Sequence, residues 1–160
     1  KLQTSQPILV DLVHVHRGYV VDATRMFSIG QLPEPWESRL LDMVEVSDTV
    51  VQSLGRGEDC SKAWQKGAEL ARNMGHSEHL MGMKPDQSQF LGHSVGLQLD
   101  ESPVVARGFD RPLVDSGVMA IEPKLVYSDG SIGLEDTWVK TAEGMERVTL
   151  VGNNQWLNHC

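Results

Sequence analysis

The sequence predicts a single α+β domain, and three observations carry that reading. A β-hairpin pattern opens the chain, two amphipathic helical patterns occupy its middle, and a series of short apolar runs punctuated by glycine turns fills the rest. The opening run, "PILVDLVHVHRGYVVDATRMF", is two strands about a tight turn at Arg17-Gly18. "LPEP" is a loop that places Pro35 at the start of a helix. In "WESRLLDMVEVSDTVVQSL", Leu40, Met43, Val44, Val51 and Leu54 recur at helical spacing, with Ser47 the one polar member of the stripe, and Gly55 stops the helix. "DCSKAWQKGAELARNMG" repeats the logic, with Ala63, Trp64, Ala68 and Ala71 inward and Gly75 closing it. "QFLGHSVGLQLDESP" reads as one strand containing glycines. "GVMAIEPKLVYSDG" and "IGLEDTWVKTAEGMERVTL" supply at least three more strands, with turns at Asp129-Gly130 and Glu143-Gly144. His159 and Cys160 end the chain and are expected to be disordered.

Composition bounds the function classes. With 160 residues, 40% of them apolar and 22% charged, the chain is long enough for one domain with a substantial core. Its net charge of −8 is spread without long acidic runs, which argues against nucleic acid or an anionic membrane as partner. No apolar run reaches the roughly 18 residues of a membrane-spanning helix. Cys60 and Cys160 lie in unrelated contexts and read as free thiols of a reducing compartment, hence a cytoplasmic protein. The chain opens at Lys1 without a methionine, so it is expected to be a fragment or a trimmed piece.

The hairpin holds the first chemical clue. Two aspartates, Asp11 and Asp22, stand among valines that read as core, and no lysine lies within the hairpin to meet them. A two-residue turn at Arg17-Gly18 pairs His16 with Tyr19, Val13 with Asp22 and Asp11 with Thr24. The two carboxylates are then diagonal neighbours on one face. Like charges that close repel unless a cation lies between them. A metal ion is one candidate; the alternative is that one aspartate serves a turn or cap while the other is solvated. Three further residues favour the metal. His93 lies in "GHSVG", Glu122 in "MAIEPKLV" and Glu135 in "IGLEDTWV", each in a strand-like apolar context. Two Asp, two Glu and one His form the donor set of a binuclear centre with bridging carboxylates, which points to a metal-dependent hydrolase. His14 and His16 alternate onto the opposite face from Asp11, and His76 and His79 sit in "GHSEHLMGM", read as a flexible connection or a metal clip.

These five residues also carry a resemblance. The chain resembles the catalytic domain of the pita-bread metallopeptidases, the group of methionine aminopeptidase, aminopeptidase P and prolidase. The family's ligands run in order as an Asp, a second Asp in a D-x-[ST]-[KR] run, a His in GHxxG, a Glu before Pro, and a Glu in E-[DH]-T. Here they match Asp11, Asp22 in "DATR", His93, Glu122 in "IEP" and Glu135 in "EDT", over about Ile8 to Leu150. Asp136 in "EDT" points to the Xaa-Pro-cleaving branch. The resemblance implies a pita-bread, creatinase/aminopeptidase-like fold that is incomplete on its N-terminal side. It implies a single catalytic domain over residues 1–160, with the family's first helices and any N-terminal domain absent. It further implies two divalent ions (Mn, Co, Zn or Fe), a peptide substrate, and a homo-oligomer. The activity implied is that of a metallo-exopeptidase that hydrolyses an N-terminal or Xaa-Pro bond through a metal-bridging water. The alternative is a non-peptidase relative that keeps the metal site for other chemistry or for ligand binding.

Three positions depart from the family pattern. Gln89 stands where Xaa-Pro peptidases carry a His before GHxxG, Asp100 where they carry another after it, and Gly133 where they carry an Arg. Asp100 is expected to bind a substrate amine or to shuttle protons, or else to pair with a neighbour such as Arg107. The residues expected to act in catalysis are therefore Glu122 and Asp100.

Overall fold

The computed structural model describes residues 1–149 and 156–160. Its elements follow the expected order. β1 (Ile8–His16) and β2 (Tyr19–Ser28) precede α1 (Trp36–Gly55) and α2 (Cys60–Asn73). Then come β3 (Phe90–Ser94), β4 (Glu101–Ala106), β5 (Val118–Ile121), β6 (Lys124–Tyr127), β7 (Gly130–Gly133), β8 (Asp136–Thr141), β9 (Gly144–Arg147) and β10 (Leu157–His159). Sheets form in the orders β1-β2-β10, β4-β3-β5-β8-β9 and β6-β7. Leu150 lies outside the described residues.

The hairpin register is the expected one: His16 opposite Tyr19, Val13 opposite Asp22, Asp11 opposite Thr24. Arg17 and Gly18 both have positive φ, 53° and 89°, the turn geometry whose twist matches that of the strands it joins. The hairpin is less buried than its valines suggest. β1 is an edge strand, and Leu12, Val13 and Val15 are exposed.

The helices pack on each other, α1 also lies against β5 to β9, and α2 lies against β3 and β4. Met43, Val46, Val50 and Leu54 of α1 meet Leu91, Met119, Ile121, Leu125 and Ile132 in one buried cluster. Ser47, the polar interruption, is buried with them. On α2 the inward stripe is Cys60, Ala63, Gly67 and Ala71; Ala68 is only partly buried. The reason is close helix approach, since a Cβ at Gly67 would lie 2.7 Å from both Leu91 Cδ1 and Val50 Cγ2. Lys140 Nζ donates to the Gly55 carbonyl at 2.5 Å, placing a cation at the C-terminus of α1. Both thiols are free, and burial pushes that of Cys60 up to about 11.

Three expectations are corrected by the strand boundaries. The stretch 89–103 is not one strand: β3 ends at Ser94, a bent segment follows, and Glu101 begins the antiparallel β4. Glu122 and Glu135 lie between strands rather than within them. Pro123 has no N–H for a ladder, so β5 stops at Ile121 and β6 starts at Lys124; Glu135 sits in the matching gap between β7 and β8. The chain end is ordered, because β10 pairs in parallel with β2 and His159 Nδ1 lies 2.8 Å from Ser28 Oγ.

Candidate metal centre

Each of the five acidic and imidazole residues is delivered by a different local device. Asp11 and Asp22 project from opposite strands of the hairpin. His93 comes from β3, which runs against β5 so closely that a Cβ at Gly92 would lie 2.3 Å from the Ala120 carbonyl oxygen. Glu122 follows β5, its N–H bonded to the Leu91 carbonyl at 3.0 Å, so it is locked beside β3. Glu135 is pinned to β2 by reciprocal backbone hydrogen bonds with Thr24, of 3.1 and 3.2 Å.

These elements bring all five toward one place. His93 Nε2 lies 3.3 Å from Glu122 Oε1, 4.0 Å from Asp22 Oδ2 and 4.0 Å from Glu135 Oε1. Donor atoms around an ion with bonds of about 2.1 Å can be no more than about 4.2 Å apart, so these separations suit a shared cation. Asp22, His93 and Glu135 form the group whose donor atoms all lie within 4.8 Å of one another. Among the described residues, buried Asp22 Oδ1 has no hydrogen-bond partner, which is the state expected of a carboxylate oxygen reserved for an ion. The residues present thus fit one divalent ion beside His93.

The electrostatics show how much negative charge is gathered here. Burial, with Asp11 close by, raises Asp22 to about 6. Burial, with Glu122 beside it, raises Glu135 to about 7. For Glu122, burial opposes ionisation, but His93 and Lys124 outweigh it and hold the carboxyl below its ordinary range. His93 shows the mirror effect: burial favours the neutral ring, yet Glu122, the Ser94 carbonyl and Asp100 carry it up to about 9. Asp11 is the outlier, its side chain 49% exposed, so only one of the two hairpin aspartates is buried.

Thr24 and Arg25 of "DATR" and Asp136 and Thr137 of "EDT" hold these acidic groups in place. Thr24 Oγ1 donates to Glu135 Oε2 at 2.8 Å. Thr137 Oγ1 accepts from the Asp22 N–H at 3.1 Å and donates to the Asp22 carbonyl at 2.8 Å. Arg25 is bound to Asp136 at 2.6 Å and donates to the carbonyls of Thr24, Glu135 and Thr149. The "DATR" and "EDT" runs are therefore two halves of one clamp.

The remaining residues fall into place around it. Asp100 extends from the bent segment with its side chain 74% exposed, and its Oδ1 lies 3.4 Å from His93 Nδ1. Arg107 lies over the Trp64 ring. Gln89 is exposed. His14 and His16 are exposed on β1. His76 Nε2 pairs with Asp42 at 2.7 Å, and His79 stacks on Tyr127, so neither belongs to the cluster.

The residue that sequence reasoning missed is Lys124. Its Nζ lies 2.9 Å from Glu122 Oε2, 3.4 Å from Glu135 Oε2 and 3.7 Å from Asp11 Oδ2. The hairpin's missing cation comes from two residues beyond a glutamate of the cluster.

Fold and site together define a pita-bread metallopeptidase architecture. The chain belongs to metallopeptidase family M24, whose model matches residues 1–142. It is 29% identical over 157 residues to a Xaa-Pro dipeptidase from Lactobacillus delbrueckii subsp. lactis, covering 92% of this chain and 39% of the relative. A dipeptidase structure from Pyrococcus horikoshii superposes with a TM-score of 0.87 at 20% identity, over 100% of this chain and 43% of that one. The N-terminal domain of the FACT complex subunit SPT16 from Cicer arietinum shares the fold, with a TM-score of 0.82 at 15% identity, over 100% of this chain and 39% of that one. The chain thus spans about two fifths of the length of these relatives.

Proposed function

We propose that this chain carries the metal site of a Xaa-Pro-type exopeptidase, with Asp11, Asp22, His93, Glu122 and Glu135 as its cation-binding residues. The observation that supports it most is His93 Nε2, set within 4.0 Å of three buried carboxylates inside the family's ordered motif. A divalent ion held there would polarise a peptide carbonyl and ease deprotonation of water.

The chain's own residues supply the rest. Glu122, with Oε1 3.3 Å from His93 Nε2, is the carboxylate nearest that ring nitrogen and is the proposed acceptor of the proton of an attacking water. The Ser94 carbonyl, 3.2 Å from His93 Nδ1, orients the ring so that Nε2 faces the cluster, and the exposed Asp100 Oδ1 lies 3.4 Å from the same nitrogen. Being exposed, the same carboxylate can also attract the free amine of a peptide substrate. Thr24, Thr137 and Arg25 prevent the acidic groups from moving apart. With this reading go manganese as a candidate ion, a cytoplasmic setting and self-association.

Hydrolysis of Xaa-Pro dipeptides and longer peptides by the Mn²⁺- or Co²⁺-loaded protein is the test. Activity should fall by about 100-fold or more in Glu122→Gln, the scale of loss expected when a positioned acid–base group is removed. A variant that retains metal content and full kcat/KM would place the chemistry elsewhere. A second reading, a relative that binds a ligand without hydrolysing it, is favoured by the lysine among the acids. It would show as folded, metal-loaded protein that cleaves none of these peptides.

A further inference from the structure

We infer that Lys124 is a tethered cation occupying the place of a second metal ion, so that this centre takes one divalent ion instead of two. The inference rests on the metal-site reading above and sharpens it.

The oxygens of the two glutamates are divided between two positions. Glu122 Oε1 and Glu135 Oε1 face His93 Nε2, at 3.3 and 4.0 Å. Their Oε2 atoms face Lys124 Nζ, at 2.9 and 3.4 Å. Each glutamate thus presents one oxygen to the His93 side, where a divalent ion would be held, and the other to the ammonium. Asp11 serves only the lysine side, at 3.7 Å, while Asp22 serves the His93 side at 4.0 Å. An ion bound by Asp11 and both Oε2 atoms, at bonds of about 2.1 Å, would have to enter the volume Nζ already fills.

The backbone approaches the lysine closely. Lys124 pairs with Gly133 across the β6–β7 hairpin. A Cβ at Gly133 would lie 2.7 Å from both Cα and Cγ of Lys124 and 2.6 Å from the Pro123 carbonyl oxygen. A bare backbone at 133 lets the β6–β7 hairpin close and also leaves space for Cγ of the lysine, whose side chain is 17% exposed. Charge agrees with the geometry. The carboxylates of Asp11, Asp22, Glu122 and Glu135 carry four negative charges, which two divalent ions alone would neutralise. A largely buried ammonium would then have no counter-charge, a costly arrangement. One divalent ion and one ammonium leave it paired.

Metal content per chain decides the matter without reference to activity. The protein is equilibrated with excess Mn²⁺, freed of unbound ion, and analysed by elemental mass spectrometry, with circular dichroism as the folding control. Wild type should hold one ion, Lys124→Met two, and Lys124→Arg, which keeps the positive charge, one. Two ions in the wild type, or one in folded Lys124→Met, would overturn the inference and leave the peptidase reading intact. No ion in any of the three would instead remove the metal-site reading itself.

Discussion

Arg25 illustrates how a residue outside the ligand set governs the site. Its guanidinium is 6% exposed as a residue, pairs with the 1%-exposed Asp136, and ties β2 to the segment that carries Glu135. Asp136 in turn accepts from Thr149 Oγ1 at 2.7 Å and from Trp156 Nε1 at 3.3 Å. Arg147 Nη1 also lies 3.3 Å from Asp136 Oδ2, so removing Arg25 leaves the buried carboxylate with one of its two arginine partners. Arg25→Met is therefore expected to lower stability by about 1–3 kcal/mol, the scale of charged hydrogen bonds lost from a buried group that stays paired, measured by urea denaturation. A loss under about 1 kcal/mol would mean the pair is solvated in a way the geometry does not show. The acidic and imidazole candidates stand out as single letters, because an acid in an apolar run or before a proline has few structural uses. Lys124 was not. A lysine at the start of a half-exposed strand reads as a solvated residue, and only the folded hairpin shows its ammonium reaching three carboxylates. What could have exposed it is the charge balance: four clustered carboxylates need a cation, and Lys124 lies two residues from one of them.

At the scale of elements, the connection from α1 to α2 holds a second charge cluster. Glu58 receives Lys66 Nζ at 2.5 Å, Lys62 Nζ at 3.0 Å and the Ser53 hydroxyl, and so links the end of one helix to the start of the next. The hydrogen bonds from Lys66, Ser53 and Lys62 hold its carboxyl down to about 2, against an ordinary 4.5. A carboxyl whose pKa is lower in the folded state contributes stability above its unfolded value and loses it as pH falls toward the folded one. The difference in thermal midpoint between the protein and Glu58→Gln should thus be full above pH 4.5 and shrink as pH falls toward 2. A difference independent of pH over that range would show that the lysines do not act through this charge. Helix boundaries were readable from apolar spacing, but the faces only in part. Val46, Val50, Cys60 and Gly67 turn inward, while Val44, Trp64 and Ala68 are partly exposed, because close packing between helices and sheet selects the deepest positions. Strand boundaries were less readable. The bend after Ser94 and the gaps at Glu122 and Glu135 interrupt runs that look continuous, because the interruptions come from cross-strand contacts and a missing proline N–H.

For the whole molecule, the hairpin, the β3–β5 pair and the β7–β8 junction are far apart in sequence yet converge on one pocket of charge. The clamp between "DATR" and "EDT" spans more than a hundred residues, as in the Arg25–Asp136 contact with a separation of 111. Family motifs made that convergence legible because they preserve the order of the donors; the distances between them could not be read. These donors are expected to form one cation-binding centre around His93. Cobalt(II) titration followed by visible absorption tests it most directly, since the ligand-field bands of the ion report a nitrogen donor in a low-symmetry carboxylate site. Wild-type protein should develop saturable bands, and His93→Ala, confirmed as folded, should lose them or shift them with affinity weakened by about 10-fold or more, since a first-sphere ligand matters at least as much as an outer-shell one. Identical spectra and affinity in the two proteins would contradict the account.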